Sequence, residues 1–292
     1  MTLEPSPRWI ELGLQPLLLI GVVSAWFFFR EQPLFYPAAL VIVQIILGVL
    51  EHLYPARPSW TQHAKEKFYN IVMVFLLYSL AATIAALYAE WLASPLADLR
   101  TALHIDIWPH DWPLLAQLFL VFFSSELLWY WMHRAEHRWP VVWRVSGHGT
   151  HHSFKRLTAI NFGLNHPFEA FFLVLPSAIV ELLFGVGIAA GGAAILTVVL
   201  ASIAHTNIRL NSKWIGVLFT TNEYHIRHHS VVLEQSNTNY GCAAIVWDRV
   251  FATFSPGNTL EAGIGPTEPT LWEKIMMPFR EPADSAIAPR SE

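Results

Sequence analysis

Residues 112–137 read WPLLAQLFLVFFSSELLWYWMHRAEH. From Trp112 to Met132 the run is almost wholly apolar. A bilayer-crossing helix needs roughly 17–25 such residues, so 112–132 reads as a span. Continued in the same register, the helix carries His133 and His137 one turn apart on one face. Glu126 stands seven residues before His133 and shares that stripe, about 10 Å deeper at 1.5 Å per residue. Two further stretches take up the theme: His148-Gly-Thr-His151-His152 and His225-Ile-Arg-His228-His229, both spelled HxxHH. Eight of the 14 histidines fall in these three boxes. One HxxxH alone is a weak signal, because chance helical pairs and zinc-protease motifs look alike. Three boxes, each beside an apolar stretch, read as metal ligands. Helical positions three and four apart lie on one face, so each box is expected to aim two or three imidazoles at a common point.

The composition fits a membrane protein. The chain has 292 residues, 54% hydrophobic and only 14% charged, with a mean hydropathy of +0.39; soluble domains carry about 25% charge. The formal net charge of -4 argues against a nucleic-acid binder. Cys242 is the one cysteine, which excludes an intrachain disulfide and thiolate-based zinc or iron–sulfur sites. The start carries Glu4, Glu11 and two prolines where a cleavable signal peptide would have a basic region.

Apolar runs at 13–29, 33–50, 68–89 and 112–132 are the candidate spans. A fifth region, 168–204, is too long for one span and is broken by Gly185, Gly187, Gly191 and Gly192. It reads as a helical hairpin, spanning twice or re-entrant. The loop 51–67 holds Arg57, Lys65 and Lys67, the loop 90–111 only Arg100, and the segment after the fourth span Arg134, Arg138, Arg144, Lys155 and Arg156. The excess of positive charge puts the N-terminus and every histidine box on the cytoplasmic side. The expected fold is therefore all-α: an integral membrane protein with four main transmembrane helices plus a helical hairpin, and a cytoplasmic helical cap holding a histidine-rich di-metal site. Three regions follow: membrane spans and loops over 1–111, a catalytic domain over 112–254, and a Pro/Gly-rich tail over 255–292. In the tail Trp272, Ile275, Met276 and Phe279 recur at helical spacing, so a short helix lies on the membrane or on the cap. The last ten or so residues read as disordered.

Eight imidazoles exceed the needs of one centre with open positions and suit two metals. With no thiolates to favour structural zinc, redox-active iron, open to dioxygen, is the natural choice. His52, His63, His104 and His110 belong to no box and read as solvated. Glu126 at membrane depth reads as an orienting partner, part of a substrate path, or a structural hydrogen bond.

The boxes HxxxH, HxxHH and HxxHH, set among membrane spans, resemble those of the fatty acid hydroxylase / sterol desaturase superfamily of integral-membrane di-iron oxygenases. Asn237-Thr-Asn-Tyr-Gly241 and Val246-Trp-Asp-Arg-Val-Phe-Ala-Thr-Phe254 are similar to the segment after that family's last box. His166-Pro-Phe-Glu169 and His205-Thr-Asn207 resemble two single-histidine motifs between its second and third boxes. The resemblance covers residues 119–254. It implies that His133, His137, His148, His151, His152, His225, His228 and His229 are catalytic iron ligands, with His205 a ninth. His166 is either a further ligand or pins the hairpin through its neighbour Glu169. The implied cofactor is two iron ions (Fe2+/Fe3+). The implied chemistry is reductive activation of dioxygen, then hydroxylation or desaturation of a lipid: a fatty acyl chain, sterol or alkylglycerol. The sequence shows no dinucleotide fingerprint and no haem attachment motif. The electrons must therefore come from an external donor, a ferredoxin, cytochrome or reductase, or a pterin as in the alkylglycerol monooxygenase branch. The competing reading is a histidine-rich membrane metal transporter, which would place its ligands near mid-membrane; here the boxes sit at span ends.

Overall fold

A computed structural model describes residues 3–280; the expected disorder of the last ten residues lies outside that range. Four long helices come first: α1 (Arg8–Phe29), α2 (Phe35–Leu53), α3 (Ala64–Ala102) and α4 (Leu114–Arg138). Each is long and apolar enough to cross a membrane. They are followed by α5 (Pro140–Ser146), α6 (Gly149–His152), the hairpin α7 (Glu169–Phe184) and α8 (Ala189–Ala204), then α9 (Asn222–His228), α10 (Leu233–Ser236), α11 (Val246–Val250) and α12 (Leu271–Met276). Among the described residues there is no strand, only an isolated antiparallel bridge between Ser230 and Ala262.

The expected loop 90–111 is corrected by α3, which runs on to Ala102. Its 39 residues extend about 58 Å at 1.5 Å per residue. The apolar run stops at Ala89, but Glu90, Leu92, Ala93, Leu96 and Ala97 are strong helix formers. Hydropathy marks where the chain can meet lipid, not where its helix ends.

The hairpin forms where the glycines suggested. Gly185 (φ +65°) ends α7 in the left-handed conformation and Gly187 (φ +62°) repeats it, a backbone that L side chains resist. Each arm has 16 residues, about 24 Å, short of the roughly 30 Å hydrocarbon core. α8 is the central helix, packed against α1, α2 and α4. Ile10, Trp26, Leu47, Leu118, Phe122, Leu196, Leu200 and Ile203 interlock there as one fully buried core. Outward-facing residues such as Phe28 (77% exposed) and Phe75 (70% exposed) form an apolar surface suited to lipid.

The start of α1, the end of α2, the start of α3 and the end of α4 meet the cap at one end of the bundle. Asn211 N–H donates to Glu11 O, Ala56 N–H to Asn207 O, and Arg156 pairs with Glu66 at 2.7 Å. Glu51, at the end of α2, accepts the backbone N–H groups of Ala159 and Asn207, both at 2.8 Å. The tail helix α12, held by a Thr270/Glu273 capping box, packs on the protein. Thr150 Oγ1 donates to Lys274 O at 3.0 Å, while Trp272 and Phe279 stay exposed.

Close helix approach depends on one small residue. A Cβ on Gly192 would strike Leu118 and lie 2.9 Å from Trp26 Cε2, so α1, α4 and α8 would have to separate. Gly192→Val should lower the folded yield and the melting temperature, with an overpacking cost of about 1–3 kcal/mol. Gly48→Ala, whose added Cβ meets nothing within 4 Å, should melt within a degree or two of wild type. Thermal scans of both variants in detergent check this; equal melting points would contradict the packing.

Candidate metal centre

The buried stripe of α4 runs Leu118, Phe122, Ser125, Glu126, Trp129, Tyr130, His133, Glu136 and His137. The face that fills the apolar core at one end thus becomes polar at the other. There it meets α6, α9 and the end of α8. The ligand atoms of His133, His137, His148, His152 and His228 form one buried group, and those of His151, His205, His225 and His229 a second. Within each group every ligand atom lies within 4.8 Å of the others. The rings of His152 and His229 stack at 4.3 Å between centroids, so the two groups adjoin.

Each box aims two imidazoles at a common point, within the expected two or three, but the two HxxHH boxes turn their third histidine elsewhere. In box two, His148 and His152 join the first group and His151 the second; in box three, His225 and His229 join the second and His228 the first. Each HxxHH box gives its i, i+4 pair to one group and its middle histidine to the other. The cause is helical: neighbouring positions point about 100° apart, so adjacent imidazoles diverge.

The hydrogen bonds fix what each ring offers. Nδ1 of His133 lies 2.6 Å from Tyr240 O, Nδ1 of His228 2.8 Å from Thr238 O, and Nδ1 of His205 2.8 Å from Ala201 O. Nδ1 of His148 is 2.6 Å from Glu169 Oε1, and Nδ1 of His137 is 3.3 Å from Asn237 Oδ1. Carbonyl and carboxylate oxygens only accept, so these rings carry their hydrogen on Nδ1 and present a bare lone pair at Nε2. Those lone pairs face one another. Nε2 of His133 is 3.0 Å from Nε2 of both His148 and His228, and His205 Nε2 is 3.1 Å from His225 Nε2. Burial holds His148, His151, His152, His225, His228 and His229 well below the usual imidazole range, and His205 at about 4, so these rings stay neutral. Converging neutral lone pairs in a buried volume suit a metal cation. The donor set, nitrogen with no thiolate, fits iron.

Around the two histidine groups stands a supporting layer that spacing alone does not reveal. The segment after box three supplies Asn237, Thr238 and Tyr240 to three of the five Nδ1 partnerships. Asp248 fixes that segment: Oδ1 accepts Tyr240 N–H, Oδ2 accepts Gly241 N–H, both at 2.7 Å, and Thr253 Oγ1 donates to Oδ1 at 2.7 Å. Burial raises the Asp248 carboxyl to about 6. Glu136, inside box one, lies 3.5 Å from His148 Nδ1 on the side where Glu169 binds it. The clue was in the spelling, a glutamate within HxxEH and another three residues after His166.

Other expectations resolve differently. His166 joins neither histidine group: its Nε2 donates to Ile275 O at 3.1 Å and anchors the tail helix. A Cβ on Gly147 (φ +74°) would collide with its ring, which crowds it against box two without turning its nitrogens inward. Glu126 accepts Thr197 Oγ1 and Ala243 N–H, both at 3.1 Å, and so ties α4 to α8 and the post-box segment as a structural bond. His52, His63, His104 and His110 are exposed, away from the groups. Burial pushes the Cys242 thiol up, away from the reactive thiolate.

Residues 118–253 match the fatty acid hydroxylase family. Ornithine lipid hydroxylase OlsE of Rhizobium tropici is 29% identical over 260 residues, covering 86% of this chain and 77% of the relative. Alkylglycerol monooxygenases of Danio rerio and Xenopus tropicalis are 26% and 28% identical over 142 residues, 47% of this chain and 30% of their own length. No solved structure matches the chain significantly. The matched stretch contains all nine histidines of the two groups, and over it the chain is similar to the fatty acid hydroxylase family.

Proposed function

We propose that this protein is a membrane-bound, di-iron oxidoreductase that uses dioxygen to hydroxylate a C–H bond of a lipid. The observation that carries the reading is the pair of adjoining buried groups, five imidazoles and four, with lone pairs turned inward. The named activities of the relatives, ornithine lipid hydroxylase and alkylglycerol monooxygenase, favour hydroxylation over desaturation and a lipid as the substrate class. His133, His137, His148, His152 and His228 would hold the first iron, and His151, His205, His225 and His229 the second. When bound, the iron pair supplies reductive activation of dioxygen, with two electrons delivered by a separate carrier.

The chain's own part is positional. Glu169, Asn237 and the carbonyls of Ala201, Thr238 and Tyr240 set tautomer and ring direction. Burial keeps the imidazoles neutral and excludes bulk water. The four spans hold the site at the membrane surface, within reach of a lipid. The excess of Lys and Arg in the loops beside the boxes supports a cytoplasmic position for that surface, facing a separate electron carrier.

Three outcomes test this. Iron per chain, measured by mass spectrometry at matched expression, should approach two in wild type and fall clearly in His151→Ala and His228→Ala. These variants should yield no product one oxygen heavier in the cellular lipids, while His63→Ala and His110→Ala should match wild type. Full iron and full turnover in both box variants would sink the assignment. Glu169→Ala frees His148 Nδ1 and should weaken iron binding about 10–100-fold with the fold intact by circular dichroism; unchanged iron affinity would show that the carboxylate does not orient the ligand.

Acid supplies the third. An unfolded histidine takes its proton near pH 6.5, whereas His205 in the fold does so only at about 4 because of burial. Between those values the unfolded chain binds more protons at His205 and at the six other histidines that burial holds well below the usual range, more sites than the raised carboxyls of Asp248 and Glu169 that pull the other way, so stability falls as pH drops. The melting temperature of iron-stripped protein should fall from pH 7 to pH 5, and a flat or rising profile would contradict it.

A further inference from the structure

A cavity of about 740 Å³ lies on the far side of α9 from the histidines, between the first turn of α1, the α2–α3 connection, residues 208–213 and residues 258–260. None of the nine histidines of the two groups lines it. Its wall contains Arg57, Arg209 and Lys213 against Glu11 and Glu223.

Arg57 is the unusual member. Its side chain is only 5% exposed, yet it has no carboxylate within ion-pair distance among the described residues. Nη2 donates to Asn258 Oδ1 at 2.6 Å and to Thr259 O at 3.2 Å, and the guanidinium sits 4.3 Å over the Trp60 ring. Those are neutral partners. A buried cation is normally matched by a counter-charge, because desolvation without one is costly. Burial lowers the group only to about 10, so it remains charged at neutral pH. Of the two other cations, Arg209 is neutralised by Glu11 at 3.3 Å; Lys213 is exposed and free of carboxylates among the described residues. The cavity therefore holds a surplus of positive charge, with a fixed guanidinium set in its wall.

We propose that this cavity is an anion-binding site, distinct from the metal centre, which takes a phosphate or carboxylate group between Arg57 and Lys213 with Arg209 at its rim. Guanidinium forks match the paired oxygens of both anions. Glu11 lies in the first turn of α1, so the cavity stands at the cap end of a span. From there it can meet the charged headgroup of a membrane lipid as well as a free anion. The site does not depend on iron or on the lipid reaction.

The full chain in neutral detergent is titrated with inorganic phosphate, with short-chain phosphatidylglycerol and with short-chain diacylglycerol, and binding is followed by microscale thermophoresis. Phosphate and phosphatidylglycerol should bind, diacylglycerol should not, and Arg57→Gln should weaken the anions about tenfold or more. Phosphatidylglycerol binding at least tenfold tighter than phosphate identifies a lipid headgroup as the source; equal affinities identify a free anion. Arg57→Gln loses two bonds to the 258–259 segment, so Lys213→Gln, at an exposed position, provides a second variant. It should retain wild-type iron content and still bind anions more weakly. The proposal is overturned if neither anion binds the wild type. It is equally overturned if Lys213→Gln and every folded Arg57 variant bind both anions as tightly as the wild type.

Discussion

Nine buried imidazoles, each with its Nε2 3.0–3.3 Å from that of another and five of them fixed with a bare lone pair there, are a standing electrostatic conflict that a cation between them would relieve. Much of the cap can be understood as the means of holding that conflict in place. Each ring could escape it by turning over and offering its N–H to a neighbour. The bonds at Nδ1 prevent this for five of them, because backbone carbonyls, a carboxylate and an amide oxygen claim that hydrogen. His152 and His229, whose Nδ1 atoms have no hydrogen-bond partner among the described residues, stack on each other. The metal preference is thus written into the hydrogen-bond network around the histidines as much as into the histidines themselves.

That network needs rigid supports, and the membrane helices provide them. α4 is a single helix whose buried face packs Leu118 and Phe122 into the core and, four turns on, delivers His133 and His137. A helix has little freedom to twist about its axis once one end is locked, so core packing fixes where the ligands point. α8 does the same for His205, whose Nδ1 caps its own helix at Ala201 O. The polar layer then seals the cap to the spans. Glu51 ties α2 to the loop after box two and to the chain after His205. His166 ties the hairpin entry to the tail helix, and Asp248 closes the turn that carries Tyr240 and Gly241.

The same wall serves two faces. α9 turns His225 and His228 toward the metal groups while Asn222, Glu223 and Ile226 border the cavity around Arg57. Arg57 also grips the chain beside His205, its backbone N–H and O meeting the Asn207 side chain at 2.9 Å each.

The sequence by itself determined the elements and the donor set. Apolar length marked the four spans, the glycines after Phe184 marked the hairpin, and the three boxes named eight of the nine imidazoles that the fold brings together; the ninth, His205, came from the family resemblance alone. These are local properties, set by residue type and helical spacing within a few turns. What spacing could not decide was partition. That His151 and His228 point away from the i, i+4 pairs of their boxes is helical, but which group each pair and each third histidine joins depends on where α6 and α9 sit relative to α4 and α8. His166 has the right chemistry and the wrong place, since its backbone enters from the hairpin side and its ring is taken by the tail. Glu169 and Asp248 looked like ordinary acids until folding set them against His148 Nδ1 and the Tyr240 turn. Contacts between residues 21 to 124 positions apart, such as Glu169 with His148 or Thr150 with Lys274, carry no periodic signal; tertiary packing creates them.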